Sequence, residues 1–171
     1  MNPASIAIVG ASDKGLYTAG ILADLQRYGY RGRIYPINPR RSEVGGLPCF
    51  PDIGALPETP ALVIIVIARE RVLEVIDRCI ALGVLAVLII SAGFGESDAF
   101  GKTLEADLRE RIAGSDLAVI GPNCAGLANV LDEGLGAVVA TRLPVAPKAG
   151  GVGFVSASGA LMMAMQGVFA D

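Results

Sequence analysis

Two runs of small residues are the places where this chain can bring backbone close to an anion: Gly10-Ala11-Ser12-Asp13-Lys14-Gly15 and Ser156-Ala157-Ser158-Gly159. The first follows the apolar residues Ile6 to Val9 and precedes a helical pattern, so it reads as a strand, a phosphate loop and a helix N-terminus. Unpaired backbone N–H groups and the positive end of the helix dipole converge at such a junction, which suits a ligand phosphate. A tight turn without a ligand has the same Gly-x-x-x-x-Gly pattern, and the loop alone does not separate the two. The second run carries two hydroxyls, Ser156 and Ser158, ahead of a glycine that opens a helix, and would receive an anion in the same way. Histidine is absent from all 171 residues, so imidazole acid–base, nucleophilic and metal chemistry cannot come from these residues. Cys49, Cys79 and Cys124 have no metal-ligand spacing, and no metal site is expected. Three scattered thiols favour a reducing cytoplasm over a disulfide scaffold.

The elements that must position these loops alternate along the chain. Thr18, Ile21, Leu22, Leu25 and Tyr28 recur at three- and four-residue spacing, with Asp24, Gln26 and Arg27 on the other face, and Gly29 ends this amphipathic helix. Arg33 to Ile37 is a second strand closed by Asn38-Pro39. Gly45 to Pro60 is a Pro- and Gly-rich connection with at most a short helix around Ile53. Ala61 to Ile67 and Val84 to Ile90 are aliphatic runs without alternation, as in strands of a parallel sheet covered on both faces. Between them Val72, Val75, Ile76, Cys79 and Ile80 form the stripe of a helix that stops at Gly83. Ser97 or Asp98 caps the next helix, which places Phe100, Leu104, Leu108 and Ile112 inward, Lys102, Glu105, Arg109 and Glu110 outward, and stops at Gly114. Leu117 to Ile120 is the fifth strand. A glycine just past each of the three helices fits the left-handed position that ends a helix.

This alternation predicts an α/β fold, a Rossmann-like doubly wound parallel sheet with right-handed crossovers. Ligands bind such sheets at the carboxyl ends of the strands, by the switch point. The loops of interest are then Gly10 to Gly15, Asn38 to Arg41, Ile67 to Arg69, Ser91 to Gly95 and Gly121 to Gly126. Val152 to Val155 reads as a further short strand and Ala160 to Phe169 as a Met-rich helix. The expected division is therefore a domain over residues 1–145 and, over 146–171, the first strand and helix of a second α/β domain that the chain end cuts off.

Composition narrows the function classes. The chain is 53% hydrophobic, enough for a substantial core. Its apolar runs fall short of the roughly 20 residues that span a bilayer, and Met-Asn-Pro-Ala-Ser at the start carries no secretory signal. A net charge of −3, without a basic field or aromatic ladder, argues against nucleic acid, and no basic amphipathic helix suggests a membrane surface.

A site of the NAD type would show Gly-x-Gly-x-x-Gly in the first loop and a carboxylate closing the second strand. Here position 12 is serine, and the second strand runs into Asn38-Pro39-Arg40-Arg41. Arginine suits a phosphate on the ribose, because its planar fork donates two hydrogen bonds to phosphate oxygens. NADP at the 2′ position and coenzyme A at the 3′ position both have one, and a solvated turn would also account for these arginines.

The strings Ser-Ile-Ala-Ile-Val-Gly-Ala-Ser, Tyr-Gly-Tyr-Arg-Gly-Arg-Ile-Tyr-Pro-Ile-Asn-Pro, Gly-Leu-Pro-Cys-Phe-Pro, Ile-Ser-Ala-Gly-Phe and Gly-Pro-Asn-Cys-Ala-Gly stand here in one order. In that order and spacing the chain resembles, over essentially its whole length, the CoA-binding domain of ADP-forming acyl-CoA synthetases. It resembles more distantly the alpha subunit of succinyl-CoA synthetase. The resemblance implies that Ser12, Asp13, Lys14 and Gly15 hold the CoA phosphates, that Arg40 sits where the family has a basic residue for the nucleotide end, and that Gly10, Ala11, Asn38 and Pro39 belong to the same cofactor-binding loops. It implies that Ile67, Ala68, Ser91, Ala92 and Gly93 pass the pantetheine, with Ile67 standing where the family usually has proline. Asn123 and Cys124 match the loop near the thioester, and Cys124 reads as a small buried residue rather than a nucleophile. Ser156 and Ser158 match the loop that faces a phosphohistidine, with Ala157 where the family has glutamine or arginine.

The function so implied is the CoA-binding part of an ADP- or GDP-forming acid–thiol ligase. The phosphorylated histidine, the nucleotide and magnesium would be held by further domains or a second subunit, in an oligomer in the cytoplasm, and this chain alone would turn nothing over. An NADP-binding redox or sensor domain is the first alternative. The second is the CoA-binding regulatory part of a protein acetyltransferase.

Overall fold

In the computed structural model, which describes residues 2–131, 134–139 and 148–168, the opening strand β1 (Ser5–Val9) leads into helix α1 (Leu16–Arg27) and strand β2 (Arg33–Ile37). A two-stranded hairpin, β3 (Glu43–Val44) and β4 (Leu47–Pro48), and a short 3-10 turn at Ile53–Ala55 fill the connection to β5 (Leu62–Ile65). Helix α2 (Val72–Ala81), strand β6 (Ala86–Ile89), helix α3 (Ala99–Ile112) and strand β7 (Ala118–Ile120) complete the alternation. A second hairpin, β8 (Gly126–Leu131) and β9 (Gly134–Val139), and helix α4 (Gly159–Val168) follow.

The main sheet is parallel throughout, in the order β2-β1-β5-β6-β7. Its register explains why the strands are aliphatic without alternation. Tyr35, Ala7, Val63, Val87 and Val119 form one row across the sheet, and Ile8, Ile64, Leu88 and Ile120 form the neighbouring one. The first row packs with Val72, Ile76 and Cys79 of α2 and Leu104 and Leu108 of α3. The second packs with Ile21, Leu22 and Leu25 of α1 and Val44 of β3. Both faces are therefore dry, and burial of each such aliphatic side chain contributes about 1.5–3 kcal/mol. From β1 the chain goes outward to β2 and then returns to β5 on the other side of β1, so the switch point lies between β1 and β5.

The expected helices and the five parallel strands are present, and several details differ. Asp24 is buried at 2% exposure, because it sits one turn beyond Ile21 beside the inward stripe of α1. Phe100 is 49% exposed. It lies in the first turn of α3 and takes the Arg69 guanidinium over its ring at 5.1 Å instead of entering the core. Gly29 and Gly83 adopt φ +76° and +69° past α1 and α2, but Gly114 has no positive φ. There Ser115 closes the helix, its N–H and its hydroxyl both donating to the Ile112 carbonyl at 3.0 Å.

Val152 to Val155 is not a strand: no described strand runs beside it, and Val152 and Val155 are 73% and 97% exposed. The β8–β9 hairpin, which lies against α1, has no counterpart in the sequence reading. Phe169 and the expected boundary between residues 145 and 146 lie outside the described residues.

Candidate ligand-binding site

The loop after β1 is pressed against the loop after β5 at the switch point. Gly10 has φ +90°, and a Cβ there would meet the Val66 carbonyl oxygen, so this approach requires glycine. The Gly10 and Ala11 N–H groups both donate to the Ile37 carbonyl, at 3.0 and 3.1 Å, which fixes the exit of the loop over β2. Ser12 Oγ accepts from the Lys14 N–H at 3.2 Å, and the Ser12 carbonyl accepts from Thr18 Oγ1 at 3.1 Å. No side chain caps α1 and its first turn holds no acid. Its first N–H groups therefore have no intrahelical acceptor and can serve an anion.

The loop after β2 supports this one. Asn38 Nδ2 donates to the Ala11 carbonyl at 2.8 Å while its Oδ1 accepts from the Arg40 N–H at 3.0 Å. Asp13, whose charge would oppose a phosphate, is turned onto the Gly45 N–H at 2.8 Å and toward Arg41 at 3.9 Å. Arg41 is thereby engaged. The Arg40 side chain is exposed, and its guanidinium has no hydrogen-bond or ion-pair partner among the described residues.

On the other side of the switch point Ser91, only 7% exposed, bonds twice to Ile67: its hydroxyl donates to the carbonyl at 2.7 Å and accepts from the N–H at 3.1 Å. The loop after β7 is drawn back over β6, with the Asn123 N–H on the Ser91 carbonyl at 3.0 Å and the Cys124 N–H on the Ile89 carbonyl at 3.3 Å. Asn123 has φ +54°, a left-handed conformation that asparagine tolerates better than most residues, and the Gly121–Pro122 peptide is cis. Cys124 Sγ accepts from the Gly126 N–H at 3.2 Å. The Ser156 hydroxyl donates to the Ser158 carbonyl at 3.3 Å and accepts from the Ser158 N–H at 3.0 Å. Ser158 Oγ accepts from the Leu161 N–H at 3.3 Å and so caps α4.

These loops enclose a cleft of about 900 Å³ lined by Ile67, Ala68, Ser91, Ala92, Asn123, Cys124 and Ser156 among the residues singled out from sequence. Gly93, Ser158, Gly10 to Gly15 and Asn38 to Arg40 lie outside the lining. The structure therefore separates the sequence-derived residues into a cleft and an adjacent pair of loops. The sequence reading missed Tyr17 and Met162, which also line the cleft. Tyr17 had one available signal, a large aromatic in the first turn after the small-residue loop. Among the described residues the lining contains no charged side chain. Cys79, by contrast, lies wholly in the core, and burial pushes its thiol up to about 12. Among the described residues no three His, Cys, Asp or Glu side chains gather as metal ligands, and no helix is long and apolar enough to cross a membrane.

A family model for a CoA binding domain matches residues 4–130. The chain belongs to this CoA-binding family. It is 37% identical over 161 residues to the "Acetate--CoA ligase [ADP-forming] II subunit alpha" of Pyrococcus furiosus, covering 94% of this chain and 34% of that protein. It is 36% identical over 163 residues to the "Trans-feruloyl-CoA synthase FCS1" of an unknown prokaryotic organism, covering 94% of this chain and 23% of that protein. The dinucleotide forming acetyl-coenzyme A synthetase 1 of Ca. Korarchaeum cryptofilum, solved with phosphate and ADP, superposes with a TM-score of 0.86 at 35% identity, covering 99% of this chain and 35% of that one. This CoA-binding chain thus spans between about a quarter and a third of the length of these relatives.

Proposed function

We propose that the chain is the coenzyme A-binding part of an NDP-forming acyl-CoA synthetase, an acid–thiol ligase that interconverts acyl-CoA, ADP and phosphate with acid, CoA and ATP. The observation that carries this reading is the match of ligand and site in two halves. Coenzyme A joins a phosphate-rich nucleotide to a thin, uncharged arm. Here an uncapped helix N-terminus, with Lys14 and Arg40 nearby, adjoins a cleft whose described lining residues carry no charge. In this reading Ser12 to Gly15 receive phosphate through backbone N–H groups and Arg40 receives the 3′-phosphate. The pantetheine passes Ile67, Ala68, Ser91 and Ala92, and the thioester lies by Asn123 and Cys124. Gly10, Ala11, Asn38, Pro39, Asp13 and Gly93 shape the loops rather than contact the ligand through their side chains.

The same reading divides the chain into a CoA-binding domain over 1–145 and the beginning of a second domain over 146–171. Ligation through a phosphohistidine requires an imidazole, and none occurs among the 171 residues. The remainder of the ligase, as further domains or as the partner of an alpha-type subunit in an oligomer, would supply it together with the nucleotide and magnesium sites. Its setting would be the cytoplasm, where the free thiols stay reduced.

The test is to incubate the purified chain with CoA, acetate and ATP, alone and with a histidine-bearing partner portion taken from a related ligase, and to follow thioester. The expected result is none from the chain alone and formation when the partner portion is present. Thioester formed by the chain alone at an enzyme-like rate, and abolished by mutating one of its own residues, would overturn this reading.

A further inference from the structure

One side chain joins the loops that follow β5 and β6. Arg69 donates from Nη1 to the Gly93 carbonyl at 2.6 Å and from Nη2 to Asp98 Oδ2 at 2.9 Å. Its Nε donates to Glu70 Oε1 at 3.2 Å, and its guanidinium lies over the Phe100 ring. Three nitrogens with acceptors and a stacked face are a use to which a rigid planar fork is suited and a lysine is not. The Arg69 side chain is 22% exposed.

The far loop is shaped to receive it. Gly93 has φ +94°, and a Cβ there would come 2.8 Å from Arg69 Cδ, so the arginine stem lies directly on the backbone. The Gly93 N–H donates to Glu96 Oε1 at 2.6 Å, so the peptides before and after Gly93 are both held. Asp98 accepts from the Gly101 N–H at 2.7 Å with its second oxygen, so the anchor of Arg69 is also the cap of α3.

Arg69 itself does not line the cleft, but Ala68 beside it and Ala92 beside Gly93 do. An exposed ion pair contributes little to stability. A bond from a guanidinium to a backbone carbonyl on the opposite loop instead sets the separation of two cleft walls, and prior placement of walls lowers the cost of ordering a flexible ligand. We propose that Arg69 is a positioning residue that fixes the Ala68 and Ala92 walls for the uncharged arm of coenzyme A, leaving the phosphate end at α1 independent of it. The proposal rests on the functional reading above.

Calorimetric titration of the chain with coenzyme A and with adenosine 3′,5′-bisphosphate tests it, because the bisphosphate shares the nucleotide end and lacks the arm. Arg69→Ala should weaken coenzyme A about tenfold, a shift of about 1.4 kcal/mol, and leave the bisphosphate within about twofold. Arg69→Lys should lie between, since lysine can reach one acceptor but not hold the fork. Asp98→Asn, which keeps a capping oxygen but removes the charge that holds Nη2, should show the same selective loss to a smaller degree and decides the matter if Arg69→Ala does not fold. Equal losses for both ligands, or no loss of coenzyme A, would overturn the proposal. Failure of the unaltered chain to bind coenzyme A would overturn the functional reading instead, and the proposal with it.

Discussion

Ser91 and Ile67 exchange two hydrogen bonds through one hydroxyl, so a buried side chain continues the β5–β6 pairing past the point where the backbone ladder ends. The two loops at the floor of the cleft are thereby held as one piece. Ser91→Ala should destabilise the chain by about 0.5–1.5 kcal/mol, because the half-buried Ile67 N–H and carbonyl would both lose their partner. Urea denaturation of the two proteins measures this directly, and an unchanged midpoint would mean that solvent reaches Ile67.

Arg40, like Lys14, is a basic side chain of the first loop pair that no described residue engages, whereas Arg41 is turned to Asp13. Arg40→Ala should therefore weaken coenzyme A by about 1.5–3 kcal/mol, the usual loss for a charged hydrogen bond. Dephospho-CoA, which lacks the 3′-phosphate, should bind both proteins alike. Equal losses for the two ligands would move the role of Arg40 away from that phosphate.

The Asp98 cap gives a pH dependence of known sign. The Arg69 guanidinium beside it, followed by the Gly101 N–H, holds the Asp98 carboxyl below the ordinary aspartate value of 3.8. A depressed folded value means that the contribution is fully present above pH 3.8 and is lost as pH falls through the lower folded value. The melting temperature of the unaltered chain should exceed that of Asp98→Asn at neutral pH, and the gap should close in acid. A gap that stayed constant into acid would show that the carboxylate charge contributes nothing there.

The parallel sheet was legible because rows such as Ala7, Val63 and Val87 must be apolar whichever face they meet, and an aliphatic run states that without reference to its neighbours. The loops of interest followed from strand ends alone. What sequence could not reveal were partnerships between distant residues. Arg69 and Asp98 are 29 positions apart, and nothing local in either marks the clamp or draws Phe100 out of the core. Asp13 in the phosphate loop reads as a ligand contact until Gly45, 32 residues on, is found to hold it. The β8–β9 hairpin was missed for a local reason: Gly126, Gly134 and Gly136 dilute the alternation that would announce strands.

The central claim is that the uncapped N-terminus of α1 and the uncharged cleft together bind coenzyme A. Titrating the 171-residue chain with coenzyme A, dephospho-CoA, NAD and NADP while following its melting temperature tests it most directly. Coenzyme A at a hundredfold its dissociation constant should stabilise the chain by about 2.7 kcal/mol, dephospho-CoA should need a higher concentration for the same shift, and NAD should give none. A larger shift with NAD or NADP than with coenzyme A would contradict the account.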